Sequence, residues 1–150
     1  EIRVSFCQDF TSWSYIGNAC LNIPKNQPTM NFGWFRENTE EREIRRVVLH
    51  EFGHALGCIH EHQHPEANIP WDENAVRRIY TAVHKWPEER VQNNILSSIP
   101  KEELTNSEYD PNSIMHYFFP NELTINQTDF KMNYELSKKD KEFISSMYPK

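Results

Sequence analysis

The sequence predicts a mixed α+β fold in which short strands come first and helices and loops follow. Residues 2–6 alternate apolar and polar side chains, which is the period of a half-buried strand. Residues 44–55 instead repeat apolar side chains at the spacing of a helix. Nine prolines in a chain of 150 residues indicate many loops and argue against a helical bundle. We therefore expect a single domain with a small sheet, a central helix and an irregular second half.

Three stretches are expected to form strands of the sheet core. The first covers residues 2–6, the second is the aromatic run 13–17, and the third covers residues 29–35. Prolines bracket the loop that precedes the third stretch. The side chains expected on the buried side of the first and third strands are Ile2, Val4, Phe6, Met30, Phe32 and Trp34.

The following segment predicts an amphipathic helix. Asn38 is a favourable N-cap, and Glu41, three residues later, completes a capping box. Acidic residues in the first turns suit the positive end of the helix dipole. The expected buried stripe contains Ile44, Val47, Val48 and Ala55. Arginines at positions 42, 45 and 46 fall mostly on the solvent side.

The pattern H-E-x-x-H-x-x-G-x-x-H spans residues 50–60 and predicts a zinc site. His50 and His54 are one helical turn apart, so both imidazoles can bind one ion. Gly57 can adopt a left-handed conformation and end the helix, so that His60 supplies a third nitrogen. Three neutral ligands leave one position open, which is typical of a catalytic Zn²⁺ site and not of a structural one. Glu51 is next to a ligand without being one, and it can act on the attacking water.

The second half of the chain predicts helices separated by polar loops. His62 and His64 lie in a loop after the motif and are further candidate ligands, although three nitrogens are already assigned. Asp72 caps a helix, and Pro87 fits the first turn of a short one. Residues 97–112, including Asn106, are expected to be irregular. Ser137 and Asp140 open a final helix that ends before Pro149.

Charge and cysteine content limit the classes of function. The net charge is −6 and there is no basic tract, which argues against nucleic acid as a partner. No apolar run approaches the length of a membrane span. Cys7 and Cys20 can form a disulfide if their strands are neighbours, with Cys58 left over, or all three can be small buried thiols. Asn126-Gln127-Thr128 is a glycosylation sequon, which by itself is weak support for secretion.

A second motif lies downstream at Ser113-Ile114-Met115-His116-Tyr117. An eleven-residue zinc motif followed by such a methionine turn is the metzincin signature. Glu61 directly follows the third histidine, the turn is written S-x-M-H-Y, and residues 13–17 give W-S-Y-x-G. Together these features resemble the astacin family of zinc endopeptidases.

The resemblance implies a role for each matching residue. His50, His54 and His60 would bind one zinc ion, and Glu51 would be the general base. Tyr117 would be a switchable zinc ligand that steadies the transition state. The structural residues near the site would be Gly57, Met115, as a hydrophobic floor under the metal, and Glu61, which would help to anchor the mature N-terminus.

The resemblance also implies an architecture and a substrate. A metzincin-like zincin fold would place an upper, sheet-bearing lobe at about residues 1–60 and a lower, irregular lobe at about 61–150, around an active-site cleft. The substrate would be a protein or peptide lying along an edge strand, represented here by Asn31, Phe32, Gly33 and Trp34. The family further implies a secreted, extracellular enzyme.

Two departures from the family pattern leave alternatives open. The strand and long helix that precede this stretch in the family are not seen, so the chain is either a shorter branch or a trimmed core. The anchoring role of Glu61 is then in question, and the cysteines do not follow the family's two-disulfide pattern. A catalytically silent zinc-binding module and a zinc hydrolase that acts on something other than protein are the competing functions.

Overall fold

The computed structural model describes residues 1–105 and 108–149 and has the α+β composition that the sequence predicts. Two compact units can be distinguished: Glu1–Ile59 with Tyr134–Lys150, and His60–Asn133. The first boundary lies near the expected end of the upper lobe at about residue 60. The C-terminal segment, which was expected in the lower lobe, belongs instead to the first unit. Asn106, expected in an irregular region, lies outside the described residues.

The first unit contains a three-stranded sheet with β1 (Val4–Ser5), β2 (Ser12–Ser14) and β3 (Met30–Phe32). The strand order is β1-β3-β2, with β1 parallel and β2 antiparallel to β3. The prediction that residues 29–35 form a sheet edge was therefore wrong. Asn31 and Phe32 lie in the middle strand, which is paired with β1 on one side and β2 on the other. Gly33 is also engaged, since its N–H donates to the Thr11 carbonyl at 2.9 Å. Trp34 follows the strand in a turn.

In strand β1 and its flanking residues, the apolar side chains that were expected to be buried are exposed. Ile2, Val4 and Phe6 were expected on the buried side, yet they are 42%, 44% and 65% exposed. The polar side of the strand makes the hydrogen bonds instead. The Arg3 guanidinium donates to the carbonyls of Gln27 at 2.7 Å and Ile23 at 3.2 Å. Hydrogen bonds to the 23–29 loop thus decide the orientation of β1, and the alternation alone does not reveal them.

Helix α1 (Glu41–Ala55) carries the zinc motif in its last two turns. It begins later than expected, because residues 36–39 close a separate turn in which the Thr39 hydroxyl accepts from the Arg36 N–H at 2.7 Å. Glu40 occupies the N-cap position without a side-chain cap, so the predicted Asn38–Glu41 capping box was wrong. Acidic residues 41 and 43 still lie in the first turn, where they suit the helix dipole. Val47 is buried against Met30 and Phe32 of β3.

Helix α4 (Lys138–Met147) completes the first unit. Ser137 and Asp140 open the helix as predicted, and they form a capping box in which each side chain accepts the backbone N–H of the other residue at 2.9 Å. Just after the helix, the Tyr148 hydroxyl donates to the Leu56 carbonyl at 3.0 Å. This hydrogen bond fastens the end of α4 to the C-cap residue of α1.

The second unit contains α2 (Glu73–Ala82) and α3 (Glu88–Val91), and α3 continues into a π-helical turn, Gln92–Leu96. Asp72 caps α2 as predicted, accepting the Ala75 N–H at 3.0 Å. The buried core of this unit consists of Ala75, Val76, Val91, Ile95, Phe119 and Leu123.

Cys7 and Cys20 are both free thiols. Cys7 is exposed, and Cys20 and Cys58 are partly buried. The expected Cys7–Cys20 disulfide is therefore not formed, and the alternative of three buried thiols is also wrong. Cys20 lies in the 3₁₀ turn Gly17–Asn22 and not in a strand beside Cys7.

Candidate metal centre

The last turns of α1 present two imidazoles on one face. His50 and His54 are each 6% exposed, and their ring centroids lie 4.8 Å apart with the ring planes nearly perpendicular. The four-residue spacing places them one turn apart, as the sequence predicts. Both ligand candidates thus stand on a rigid element.

The orientation of His54 is fixed by a hydrogen bond from the same segment. Its Nδ1 lies 2.8 Å from the Cys58 carbonyl oxygen, which can only accept, so Nδ1 carries the proton. The Nε2 lone pair is then available for a metal ion, as in many histidine-metal sites. Burial lowers the pKa of His54, while the hydrogen bond to Cys58 acts in the opposite direction. The neutral imidazole that binds metal is therefore favoured.

Gly57 ends α1 and redirects the chain towards His60. Its φ is +100°, a conformation that side-chain-bearing residues rarely adopt. The Gly57 N–H donates to the His54 carbonyl at 2.8 Å, and the Cys58 N–H donates to the Gly53 carbonyl at 3.0 Å. This pair of bonds is a Schellman motif, and it satisfies carbonyl groups at the helix end. The sequence prediction for Gly57 agrees with this geometry.

Within the continuous segment 50–60, one nitrogen from each of His50, His54 and His60 lies within 4.8 Å of the others. Two nitrogens that are each about 2.1 Å from one ion are at most about 4.2 Å apart. The three side chains therefore need only small rotations to share one zinc ion. Three imidazoles are also a donor set that zinc prefers at catalytic sites. On both geometry and chemistry, these residues fit the metal that the motif implies.

Glu51 lies in α1, directly after His50 in the sequence, and its side chain is buried. It is 4% exposed, and its Oε2 has no hydrogen-bond partner among the described residues. Burial raises the pKa of this carboxyl to about 8 in the metal-free protein, and the charge of Arg46 opposes this only in part. The group of described residues that could hold an ion consists of the three histidines and does not include Glu51.

The loop after the motif has its own partners. The Glu61 carboxylate accepts the Asp110 N–H at 2.7 Å, and the Glu61 N–H donates to the Met115 carbonyl at 3.1 Å. Glu61 thus connects the third histidine to the methionine turn within the second unit. His62 and His64 are buried but lie outside the metal-binding group found among the described residues.

The methionine turn is held by short hydrogen bonds. Met115 is 3% exposed, and its N–H donates to the Ser113 hydroxyl at 3.0 Å. His116 Nδ1 donates to the Tyr117 carbonyl at 2.7 Å, and its Nε2 then accepts the Tyr109 hydroxyl at 3.0 Å. The partly buried Tyr117 ring lies 4.2 Å from the His60 ring, centroid to centroid. The turn therefore places Tyr117 beside the third candidate ligand.

A family model described as Astacin, a family of peptidases, matches residues 3–148, nearly the whole chain. The chain belongs to the astacin family. Among solved structures, one titled "Structure of myroilysin" is 47% identical, with a TM-score of 0.94 over 99% of this chain and 73% of that one. A second, "Crystal structure of myroilysin", is 46% identical, with a TM-score of 0.70 over 99% of this chain and 66% of that one. No curated protein matches the chain.

Membership of the astacin family confirms several predictions. The fold is a mixed α+β fold of the metzincin type, and the chain is a zinc endopeptidase. Peptidase activity implies protein substrates. Astacins are zinc enzymes, and this chain has three histidines that can bind a metal ion. In residues 1–105 and 108–149, no helix combines the length and apolarity that crossing a membrane requires.

His62 lies close to the candidate metal centre, and the sequence did not reveal its contacts there. His62 was considered only as a spare ligand, yet its ring contacts those of His60 and Tyr117. Burial lowers its pKa to about 3, so the ring is neutral at ordinary pH. A histidine two residues after a ligand was the available signal, but its partner, Asn94, is 32 residues away. No spacing rule links the two positions.

Proposed function

We propose that His50, His54 and His60 hold a single catalytic zinc ion, and that Glu51 and Tyr117 carry out the proton transfer and oxyanion stabilisation of peptide hydrolysis. The observation that carries the proposal is the proximity of three imidazole nitrogens in one segment that also buries the Glu51 carboxyl, whose Oε2 has no hydrogen-bond partner in the described part of the chain. Zinc peptidases need such a pair of features: a metal site with an open position and a carboxylate beside it.

Glu51 is the proposed general base. When bound, Zn²⁺ supplies Lewis acidity and positive charge, which lower the pKa of water at the site and favour the ionised form of a nearby carboxyl. Glu51 accepts a proton from the attacking water and later delivers it to the amine that leaves. The water oxygen joins the scissile carbonyl carbon, and the C–N bond breaks. The absence of a hydrogen-bond partner among the described residues leaves Oε2 able to perform both transfers.

Tyr117 is the proposed oxyanion donor. As the carbonyl carbon becomes tetrahedral, its oxygen gains negative charge, and a phenol hydroxyl can stabilise that charge by donating a hydrogen bond. Its ring contact with His60 supports this role, because it keeps the phenol close to one of the proposed ligands. Met115, buried two residues earlier, supports the turn from which Tyr117 projects.

We also propose that the enzyme acts outside the cell. Members of the astacin family are typically extracellular, and the Asn126 sequon is exposed. The Asn126 side-chain oxygen accepts the Thr128 hydroxyl at 2.8 Å. Immunodetection of the protein in the medium of a producing culture, with a cytosolic marker as the control, tests this proposal. Retention with the marker would contradict it.

The catalytic proposal is tested by cleavage of a random peptide library, read by mass spectrometry. We expect internal bonds to be cut by the zinc-loaded protein, cutting to stop with a chelator, and zinc to restore it. Glu51→Gln is the matched control, because it keeps the volume of the side chain and removes the base. Zinc binding without cleavage by the wild-type protein would indicate a silent module. Hydrolysis of small amides or esters but not of peptides would indicate a different hydrolase.

A further inference from the structure

Three rings form a contact group immediately after the metal-binding segment. The centroids of His60 and Tyr117 lie 4.2 Å apart, those of His60 and His62 5.4 Å apart, and those of His62 and Tyr117 5.0 Å apart. The His62 ring is nearly parallel to both others, at 27° and 21°. One side chain therefore packs against a proposed zinc ligand and against the proposed oxyanion donor.

His62 is itself held in place from the far side. It is 4% exposed, and its Nε2 donates to the Asn94 carbonyl at 2.9 Å. Asn94 belongs to the π-helical turn Gln92–Leu96, and such turns are frequent at functional sites. The neighbouring Gln63 amide donates to the carbonyls of Asn93 at 2.8 Å and Ser97 at 3.1 Å. The short turn Glu61–Gln63 is thus fixed to the π-helical turn by two side chains.

Packing alone does not explain a histidine at this position. Its Nδ1 is buried and has no hydrogen-bond partner among the described residues, which is unfavourable for a polar atom. A phenylalanine would fill the same space against the edge-on Phe119 ring, 5.0 Å away, without leaving such an atom. What phenylalanine lacks is the N–H that donates to Asn94. The hydrogen bond to the π-helical turn is therefore the feature that the histidine adds.

We propose that His62 is a positioning residue for the catalytic centre. Anchored on the Asn94 carbonyl, its ring sets the orientation of the His60 imidazole and of the Tyr117 phenol at once. The inference rests on the proposed function for the roles of His60 and Tyr117. It predicts two separable effects of losing the ring: weaker zinc binding through His60 and slower turnover through Tyr117, with little change in KM.

The test compares His62→Ala, which removes the ring and the hydrogen bond to Asn94, with His62→Phe, which keeps an aromatic ring but has neither ring nitrogen and so loses only that hydrogen bond. Val76→Ala is the control, because Val76 is fully buried in the same unit but belongs to α2. Each protein is measured for zinc affinity by competition with a chelating indicator, for the visible absorption spectrum of its Co²⁺ form, and for kcat and KM. All measurements are made well below the unfolding midpoint of each variant.

For His62→Ala we expect zinc affinity and kcat to fall about 10–100-fold, the range known for the loss of residues that are hydrogen-bonded behind a metal ligand. The Co²⁺ spectrum should change, since it reports the ligand geometry. His62→Phe should fall between His62→Ala and the wild type in both quantities. Val76→Ala should lower the unfolding midpoint while keeping the wild-type Co²⁺ spectrum and kcat.

Wild-type zinc affinity, Co²⁺ spectrum and kcat in both His62 variants would overturn the proposal. So would changes that Val76→Ala reproduces at an equal loss of stability, since they would then follow from stability alone. If His62→Ala does not fold, His62→Phe decides by the same criteria. If the wild-type protein binds zinc but cuts no peptide, the proposed function fails, while the affinity and Co²⁺ measurements still decide whether His62 orients His60.

Discussion

At the scale of single residues, Glu51 contradicts the ordinary rules of a stable interior. A buried oxygen without a hydrogen-bond partner among the described residues costs about 1–3 kcal/mol. Glutamine would be neutral in the same volume, and an apolar residue would lose no hydrogen bond at all. A group that must gain and lose a proton, however, cannot be fully occupied by partners. The arrangement is therefore understandable as a cost that catalysis requires.

Glu51→Gln is expected to retain about one zinc ion per chain and to lower kcat by about 10²–10⁴-fold, because the amide cannot accept the proton of the attacking water. Zinc content is measured by elemental mass spectrometry on the protein used for kinetics. Most of the wild-type activity in the zinc-loaded variant would remove Glu51 from the mechanism.

Tyr117→Phe separates an oxyanion donor from a packing residue. Loss of the donor should lower kcat by about 10²–10³-fold with KM little changed, because the bond forms only in the transition state. Loss of a hydroxyl that only packs should instead lower stability by about 1 kcal/mol and leave kcat nearly intact. Zinc should stay bound in both cases. We would measure kcat, KM and metal content on the purified variant, and an unchanged kcat would exclude the catalytic role.

The individual candidate ligands could be predicted because their relation is local. His50, Glu51 and His54 share one helix, where spacing fixes direction, and Gly57 determines how the chain reaches His60. The environment of His62 could not be predicted in this way. Its hydrogen bond and its ring contact with Tyr117 join segments far apart in the chain, so they appear only in the folded structure.

At the scale of elements, the end of α1 determines where His60 lies. An added Cβ at Gly57 meets nothing within 4 Å, so the effect of a substitution there is confined to the backbone at φ +100°. We expect Gly57→Ala to lower stability by about 1–2 kcal/mol, the usual cost of placing an L side chain in the left-handed region. Zinc affinity should also fall, because relief of the strain moves the chain between His54 and His60.

The measurements for Gly57 are denaturant unfolding of the chelator-treated protein and zinc competition. Gly57→Asn is the matched variant, since asparagine tolerates positive φ better than alanine. The order Gly, Asn, Ala is expected for both stability and affinity. Equal stability of Gly57→Ala and the wild type would show that the Schellman turn does not need glycine.

Element starts were predicted well where one side chain makes the cap and poorly where neighbours compete. Ser137 and Asp72 cap their helices as their sequence signals indicate. Asn38 has the same signal, but Thr39 and Arg36 close a turn across that position, so α1 begins at Glu41. The place of β3 was also not available from its own residues. Its pairing with both β1 and β2 depends on the path of the chain between them.

At the scale of the whole molecule, the C-terminal segment that begins at Tyr134 returns to the first unit. Arg45 pairs with Glu135 at 3.0 Å, the Arg42 guanidinium lies 4.1 Å from the centre of the Tyr134 ring, and Tyr148 reaches the end of α1. These contacts join positions far apart in the chain and leave no local pattern in the sequence. The sequence analysis therefore divided the chain at about residue 60 and assigned the C-terminal segment to the lower lobe. The exposed Arg45–Glu135 pair contributes little by itself, about 0–1 kcal/mol. The Arg42–Tyr134 ring contact and the hydrogen bond from Tyr148 to the Leu56 carbonyl are stronger evidence that this segment packs in the first unit.

Buried ionisable groups give the metal-free protein two opposed dependences on pH. Burial lowers the pKa of His54 and His116, and lowers that of His62 to about 3, from the ordinary value of 6.5. Below about pH 6.5 the unfolded chain therefore binds more protons at these residues, and stability falls as pH falls. Burial raises the pKa of Glu51 from 4.5 to about 8. Between these values the folded protein holds the extra proton, so this contribution to stability is lost as pH rises.

In the chelator-treated protein, the histidines and Glu51 therefore act in opposite directions below about pH 6.5. Above that pH the effect of the histidines fades as they lose their protons in the unfolded chain as well. Up to about pH 8, Glu51 should then lower the free energy of unfolding by up to about 1.4 kcal/mol per pH unit. Urea unfolding from pH 5 to 8.5 measures the curve, and Glu51→Gln should abolish the decline above pH 6.5. Parallel curves for the wild type and Glu51→Gln in that range would show that Glu51 is already ionised in the folded, metal-free protein.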